Sequence, residues 1–146
     1  MLKGVPEIIS AKLIKVMMDM GHGDELVICD GNFRTASLGL DESRIVDCSG
    51  HNITQLLDAM LALMPLDAPL SGFSAVLCMD APEDLRPNGH WDACMAIVKK
   101  HEPQFDEFSA LNKADFYERA KSAFAFVKTS DKTRFANIII RKGLVR

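Results

Sequence analysis

A histidine and two aspartates flank a short apolar run near the start of the chain. The stretch MGHGDELVICD places His22 between two glycines, Asp24 in the same turn, and Asp30 directly after the apolar residues. An imidazole is the natural proton donor and acceptor near neutral pH. A carboxylate as close in sequence as Asp24 can orient that ring or stabilise its charge. His22 and Asp24 therefore indicate general acid/base chemistry, and the alternative for both is an ordinary tight turn.

Three further polar side chains are candidates for ligand contacts. Asp30 closes the run LVIC, and ligands of open α/β sheets bind beyond the carboxyl ends of strands; its alternative is a turn or cap. Tyr117, the only tyrosine, follows Phe116 in the segment DFYERAKSAFAF, so core packing is its alternative. Asn137 stands at the start of the run ANIII, where an amide can hold a polar ligand or cap a turn.

The composition favours a single cytoplasmic domain. A chain of 146 residues suits one hydrophobic core. The net charge of −3 and the scattered basic residues argue against nucleic acid as a partner. No apolar run approaches the roughly 20 residues that cross a bilayer, and the N-terminus lacks the apolar core of a secretory signal. The four widely spaced cysteines are expected to be buried, reduced thiols.

Motifs of several enzyme classes are absent from the sequence. There is no CxxC, HxH or HExxH spacing, so neither a zinc site nor another metal site is expected. There is also no GxSxG, Walker or GxGxxG motif. The residues alone therefore predict an α/β domain with a His/Asp polar site.

Helices alternate with strands along the chain, which predicts an α/β domain whose helices cover a largely buried sheet. Ser10 and Asn52 are expected helix caps, and Gly21 is expected to stop the first helix in the left-handed conformation. The runs LVIC and NIII are expected to be central strands, buried on both faces. Helices are predicted at 10–21, 52–65, 91–101 and 113–123, and strands at 25–30, 44–47, 73–79, 124–130 and 136–143.

Two long segments resemble the L-fucose mutarotase / D-ribose pyranase family, and its fucose mutarotase branch in particular. They are MLKGVPEIISAKLIKVMMDMGHGDELVICDGNF and DFYERAKSAFAFVKTSDKTRFANIIIRKGLV. The resemblance implies a single fucose mutarotase-like domain over residues 1–146, with the three-layer α/β/α architecture and mixed β-sheet of the ribose pyranase-like fold. It also implies a ring-shaped homodecamer with sites near subunit contacts, a monosaccharide substrate, and neither a metal nor an organic cofactor.

The resemblance assigns catalytic roles to three residues. His22 matches the catalytic histidine of the family and Tyr117 matches the tyrosine of its FYERA helix, while Asp24 is expected to support the imidazole. Mutarotation opens a hemiacetal and recloses it on the other face, so a proton must leave the anomeric hydroxyl and another must reach the ring oxygen. The expected function is cofactor-free interconversion of the α and β anomers of a free sugar, first of all L-fucose, with His22 as general acid/base.

Five residues are expected to contact the sugar. Asp30 matches the family's sugar-binding aspartate, and Asn137 ends its Tyr-Gly-Asn or Tyr-Ala-Asn motif. Phe135 replaces the tyrosine of that motif, Ala136 is its middle residue, and Lys113 stands where the family has arginine. Lysine and arginine differ in hydrogen-bond geometry. Three alternatives therefore stay open: a non-catalytic monosaccharide-binding protein, a pyranase acting on another sugar such as ribose, and an enzyme of another reaction class on the same fold.

Overall fold

Four α-helices and six β-strands form the regular structure of residues 1–68 and 74–145, the part of the chain that the computed structural model describes. The helices are α1 (Ala11–Asp19), α2 (Ile53–Leu61), α3 (His90–His101) and α4 (Lys113–Lys121). The strands are β1 (Glu25–Cys29), β2 (Ile45–Cys48), β3 (Val76–Met79), β4 (Ser109–Leu111), β5 (Ala125–Thr129) and β6 (Ile138–Arg141). Every predicted helix and strand is present, although Phe73 of the predicted third strand lies outside the described residues. Strand β4 was not predicted, because three residues are too few for a periodic pattern.

Side-chain caps begin the first two helices. The Ser10 hydroxyl accepts a hydrogen bond from the third amide of α1, and Asn52 forms a capping box with Gln55 in α2, so both predicted caps are confirmed. The prediction that Gly21 stops α1 in the left-handed conformation is wrong. The chain leaves α1 in an extended conformation, and the glycine that takes a positive φ is Gly23, at 86°. The tight turn therefore has His22 and Gly23 at its centre, and the Asp24 amide donates to the Gly21 carbonyl oxygen.

The six strands form one mixed sheet in the order β2-β5-β1-β6-β3-β4. Strand β5 is parallel to β1 and β2, and β3 is parallel to β4, whereas β6 is antiparallel to both of its neighbours. Strands β1 and β6 lie at the centre, and their burial confirms the prediction for LVIC and NIII. We call the two ends of this strand pair the upper edge, at Asp30 and Asn137, and the lower edge, at Glu25 and Arg141.

Helices cover both faces of the sheet. Helices α1, α2 and α3 pack with one hydrophobic cluster, to which β1 contributes Leu26 and Ile28. Helix α4 packs with a second cluster, to which β1 contributes Val27 and Cys29. Successive strand residues point to opposite faces, so the continuous apolar run of β1 supplies both cores. This arrangement confirms the predicted three-layer α/β/α architecture.

The helices of the described ranges include none that is long and apolar enough to cross a membrane. Three of the four cysteines are buried, as expected, and Cys78 is partly exposed.

Candidate functional site

A cavity of about 480 Å³ opens at the upper edge of the sheet, on the face covered by α4. The fold brings five of the predicted residues into its lining: Asp30, Lys113, Tyr117, Phe135 and Asn137. Asp30 meets Phe135 and Asn137 because β6 runs antiparallel to β1, so the end of one strand lies beside the start of the other. Helix α4 contributes Lys113 and Tyr117. A volume of this size is typical of small-molecule sites.

Asp30 and Asn137 form a reciprocal pair at the base of the cavity. The Asn137 side-chain oxygen accepts a hydrogen bond from the Asp30 backbone amide at 2.8 Å, and its Nδ2 donates to Asp30 Oδ2 at 3.1 Å. The Asn32 amide donates to Asp30 Oδ1 at 2.8 Å. Burial raises the pKa of Asp30, and the hydrogen bonds from Asn32 and Asn137 oppose this rise. Because a carboxylate accepts about four hydrogen bonds, Asp30 retains capacity for ligand hydroxyls.

Helix α4 and the loop after β1 supply an aromatic and cationic wall. Lys113 and Tyr117 lie four residues apart on α4, which places them on one face of the helix. The Tyr117 ring stacks on Phe33 with a centroid separation of 5.0 Å, and the Arg34 guanidinium lies 4.6 Å from the Tyr117 ring centroid. Arg34 and Arg134 also line the cavity, so cationic side chains share it with the Tyr117 ring.

The segment before β6 adopts an unusual backbone conformation. Phe135 has a φ of 57°, in the left-handed region that residues other than glycine rarely adopt. Ala136 is fully buried, and its carbonyl oxygen accepts a hydrogen bond from Nε2 of the buried His90 at 3.1 Å. Burial lowers the pKa of His90. The turn at Phe135 places its ring in the cavity while Asn137 reaches Asp30.

His22 lies at the lower edge, away from the cavity. The five residues of β1 separate the His22 loop from Asp30, a span of about 16 Å. The His22 side chain is 48% exposed, and its Nε2 lies 2.9 Å from Asp67 Oδ1. Asp24, the expected partner of the ring, instead accepts a hydrogen bond from the Gly21 amide at 2.7 Å. Asp24 therefore shapes the loop, and Asp67 is the carboxylate beside the imidazole.

Asp67 is a candidate site residue that the sequence did not reveal. Its Oδ2 accepts a hydrogen bond from Arg141 Nε at 3.0 Å. Burial by itself would raise the pKa of Asp67, but the hydrogen bonds from His22 and Arg141 hold it below its usual value. Asp67 lies 45 positions from His22 and belongs to no motif. No sequence signal indicates it, because the contact depends on the close approach of Gly143 to Leu66, where a Cβ atom on Gly143 would lie 2.3 Å from the Leu66 carbonyl oxygen.

The two edges offer complementary chemistry. The upper cavity can bind a ligand rich in hydroxyl groups, and the lower edge presents an imidazole that a carboxylate orients. No group of three or more His, Cys, Asp or Glu side chains that could hold a metal ion occurs within residues 1–68 and 74–145.

Comparison with known proteins gives a consistent result. The model of the RbsD / FucU transport protein family matches residues 3–145. Fucose mutarotase from Mus musculus is 37% identical over 97% of this chain and 94% of its own length. The fucose mutarotase from Streptococcus pneumoniae, crystallised with L-fucose, is 36% identical with a TM-score of 0.89, covering 99% of this chain and 100% of that chain. Bacillus subtilis RbsD, solved with D-ribose, has the same fold, with a TM-score of 0.72 at 20% identity and full coverage of both chains. The resemblance inferred from the two sequence segments is confirmed.

Proposed function

Because the chain belongs to the RbsD / FucU transport protein family, we propose that it is a mutarotase that interconverts the α and β anomers of free L-fucose. The names of its relatives place it among the carbohydrate isomerases. The observation that carries the choice of a sugar is the polar cavity at the upper edge, whose lining contains five of the residues that the sequence resemblance assigned to the site.

The cavity holds the sugar ring in this proposal. Asp30 accepts hydrogen bonds from sugar hydroxyls, and Asn137 fixes the carboxylate while keeping one amide hydrogen for the ligand. Lys113 donates to the ring or anomeric oxygen. Tyr117 positions the ring, and Phe135 supplies an apolar wall where a tyrosine of the family would add a hydroxyl. The Ala136 carbonyl oxygen accepts a hydrogen bond from His90, and this bond holds the backbone between Phe135 and Asn137 in place.

His22 carries the proton. Because His22 Nε2 is hydrogen-bonded to Asp67, the imidazole presents its other nitrogen, Nδ1, to the substrate. As the bond between C1 and the ring oxygen breaks, His22 Nδ1 removes the proton of the anomeric hydroxyl, and the same imidazole, now protonated, gives that proton to the ring oxygen. The open-chain aldehyde then turns about its C1–C2 bond, and the reverse transfers close the ring on the other face. Proton and electron counts balance without a redox partner.

One chain cannot bring His22 to a sugar in its own cavity, because the length of β1 separates them. The proposed active unit is therefore a contact at which His22 of one copy faces the cavity of another. The sequence resemblance supports a ring-shaped homodecamer as the assembly that repeats this contact. The buried thiols of Cys29, Cys48 and Cys94 suit the reducing conditions of the cytoplasm, where we place the enzyme.

Saturation-exchange NMR between sugar anomers tests this function directly. The wild-type protein is expected to accelerate exchange of L-fucose above the buffer rate, and more than that of D-ribose or other sugars in a panel. His22→Ala is expected to lose about 10²- to 10⁴-fold of the acceleration, the usual contribution of a general acid/base group. His51→Ala is the matched control, because His51 lies neither in the His22 loop nor in the cavity lining.

The possible results separate the alternatives. Sugar binding without accelerated exchange would indicate that the chain is a monosaccharide-binding protein and not an enzyme. Faster exchange of D-ribose than of L-fucose would make the chain a pyranase-type enzyme of another specificity. A folded His22→Ala protein with the wild-type rate would exclude His22 as the proton carrier.

A further inference from the structure

We propose that Arg141 is a positioning residue: its buried guanidinium fixes Asp67, and Asp67 in turn sets the orientation and tautomer of the His22 ring. The inference rests on the proposed function, in which His22 carries the proton. Arg141 ends the central strand β6, and it belongs to none of the motifs that marked the site in the sequence.

Arg141 and the Asp67 segment are joined at three points. Arg141 Nε donates to Asp67 Oδ2 at 3.0 Å, and Arg141 Nη2 donates to the Ala68 carbonyl oxygen at 3.2 Å. The Asp67 backbone amide donates to the Arg141 carbonyl oxygen at 3.0 Å. These contacts fix both the position of the Asp67 backbone and the rotation of its carboxyl group.

The carboxyl group of Asp67 contacts the His22 ring through one oxygen, Oδ1. Arg141 Nε holds Oδ2, and the Ala68 amide donates to Oδ1 at 2.9 Å; in this orientation Oδ1 lies 2.9 Å from His22 Nε2. A carboxylate at this nitrogen favours the tautomer in which Nε2 carries the hydrogen. Because the His22 side chain is 48% exposed, few packing contacts restrain the ring, and the hydrogen bond to Asp67 is its principal restraint.

The burial of Arg141 argues for a role beyond packing. Its side chain is 7% exposed at the end of the run IIIR, and a buried ion pair is often no more stabilising than well-packed apolar residues. Glu25 lies 4.0 Å from Arg141, but Glu25 already forms close hydrogen bonds with Arg119. The carboxylate that depends on Arg141 is therefore Asp67, the partner of His22.

The variants Arg141→Met and Arg141→Lys test the proposal. Met removes the charge and the hydrogen bonds, whereas Lys keeps a cation that can reach Asp67 but not the planar geometry. We expect Arg141→Met to lower kcat for anomer exchange by about 10- to 100-fold and to leave KM within about twofold, because the cavity lies at the opposite edge. Arg141→Lys is expected to recover most of kcat. Lys100→Met, which removes an exposed ion pair with Asp58, is the control and should match the wild type.

The ¹⁵N signals of the His22 ring provide a readout that does not depend on activity. In the wild type the two ring nitrogens should give the well-separated signals of one tautomer, and in Arg141→Met these signals should move towards each other. Circular dichroism and the unfolding temperature establish that each variant is folded. A folded Arg141→Met protein with wild-type kcat and ring signals would overturn the proposal, as would a loss of kcat that Lys does not relieve. If the wild type fails to accelerate exchange, the proposed function fails, and the ring signals still decide whether Arg141 controls His22.

Discussion

Asp30 is a buried carboxylate that must be charged to do its proposed work. Burial raises its pKa, while the hydrogen bonds from Asn32 and Asn137 favour the ionised form without removing the rise. Protonation would turn one oxygen from an acceptor into a donor, and Asn137 Nδ2 would then face a hydrogen instead of a lone pair. The residue therefore links the binding of sugar to pH.

The pH dependence of sugar binding follows from the direction of that pKa. A raised pKa means that Asp30 takes up its proton at a higher pH than an exposed aspartate, so KM for L-fucose should rise as the pH falls through this value. Asp30→Asn should raise KM by at least about tenfold at neutral pH, corresponding to the loss of about 1.4 kcal/mol, and should flatten the pH dependence of KM. The measurement is KM from anomer-exchange NMR across the acidic range. A wild-type KM that stays constant in acid would show that the Asp30 charge does not bind sugar.

At the scale of elements, the segment between β5 and β6 is tied to the start of α2. Asp131 Oδ2 accepts a hydrogen bond from the Ile53 amide at 3.1 Å, and Oδ1 accepts one from the Thr133 amide at 2.9 Å. The Asp131 carbonyl oxygen accepts a hydrogen bond from the Gly31 amide at 2.9 Å, next to Asp30. One aspartate thus connects a helix terminus, the loop after β1 and the loop that carries Phe135.

Two cap variants of α2 separate stability from site geometry. Asp131→Ala and Asn52→Ala each remove an acceptor from an N-terminal amide of α2, so each should lower the free energy of unfolding by about 1 kcal/mol. Asp131→Ala should also raise KM by about fivefold, or about 1 kcal/mol, because the loop carrying Phe135 loses its anchor. Denaturant unfolding and anomer-exchange kinetics measure the two effects. Equal KM values in the two variants would show that Asp131 acts only as a cap.

The elements were predictable because their signals are local. The caps Ser10 and Asn52 and the apolar periodicities lie within a few residues of the structure that they specify, and these predictions are confirmed. The left-handed stop at Gly21 failed because a neighbouring glycine makes the turn. Of the cavity lining, Asp30, Tyr117 and Asn137 were candidates from their own positions in the sequence, whereas Lys113 and Phe135 followed only from the family resemblance.

The lower edge was not predictable, because its contacts join distant parts of the chain. Asp24 was favoured as the partner of His22 by its proximity in sequence, yet the ring bonds to Asp67, 45 positions away. The bond from Arg141 to Asp67 spans 74 positions. Such contacts depend on the order of strands in the sheet and on the β-bridge between Leu66 and Lys142, which no local pattern encodes.

At the scale of the whole molecule, the proposed site is divided between the two edges of one sheet. Each copy then carries one half-site of each kind, and the proposed ring of identical contacts would complete all of them. When one variant lacks a working lower edge and another lacks a working upper cavity, a mixed assembly of the two should therefore recover part of the exchange activity.

Coexpression of His22→Ala with Asp30→Asn tests this division. When the two chains mix at random, roughly a quarter of the contacts pair an intact His22 with an intact cavity, so about that share of the wild-type exchange rate should return at low sugar concentration. Coexpression of His22→Ala with Asp67→Asn is the matched control, because both changes damage the same edge and no contact regains an intact pair. Absence of recovery in the first mixture, with assembled protein verified by light scattering, would place the whole site in one chain.

The strand order also affects how the chain folds as it is synthesised. Among the described strands, β1, β2 and β3 do not pair with one another, and each pairs only with β4, β5 or β6. More than half of the chain must therefore emerge before any of these apolar strands finds a partner, and residues that meet at the upper edge are 107 positions apart. Strand pairings between residues so far apart in sequence form slowly, and the apolar strands stay exposed and prone to aggregation until they form. Substitutions that weaken β6 will reduce the yield of soluble protein, because β6 alone joins the β1 and β3 halves of the sheet.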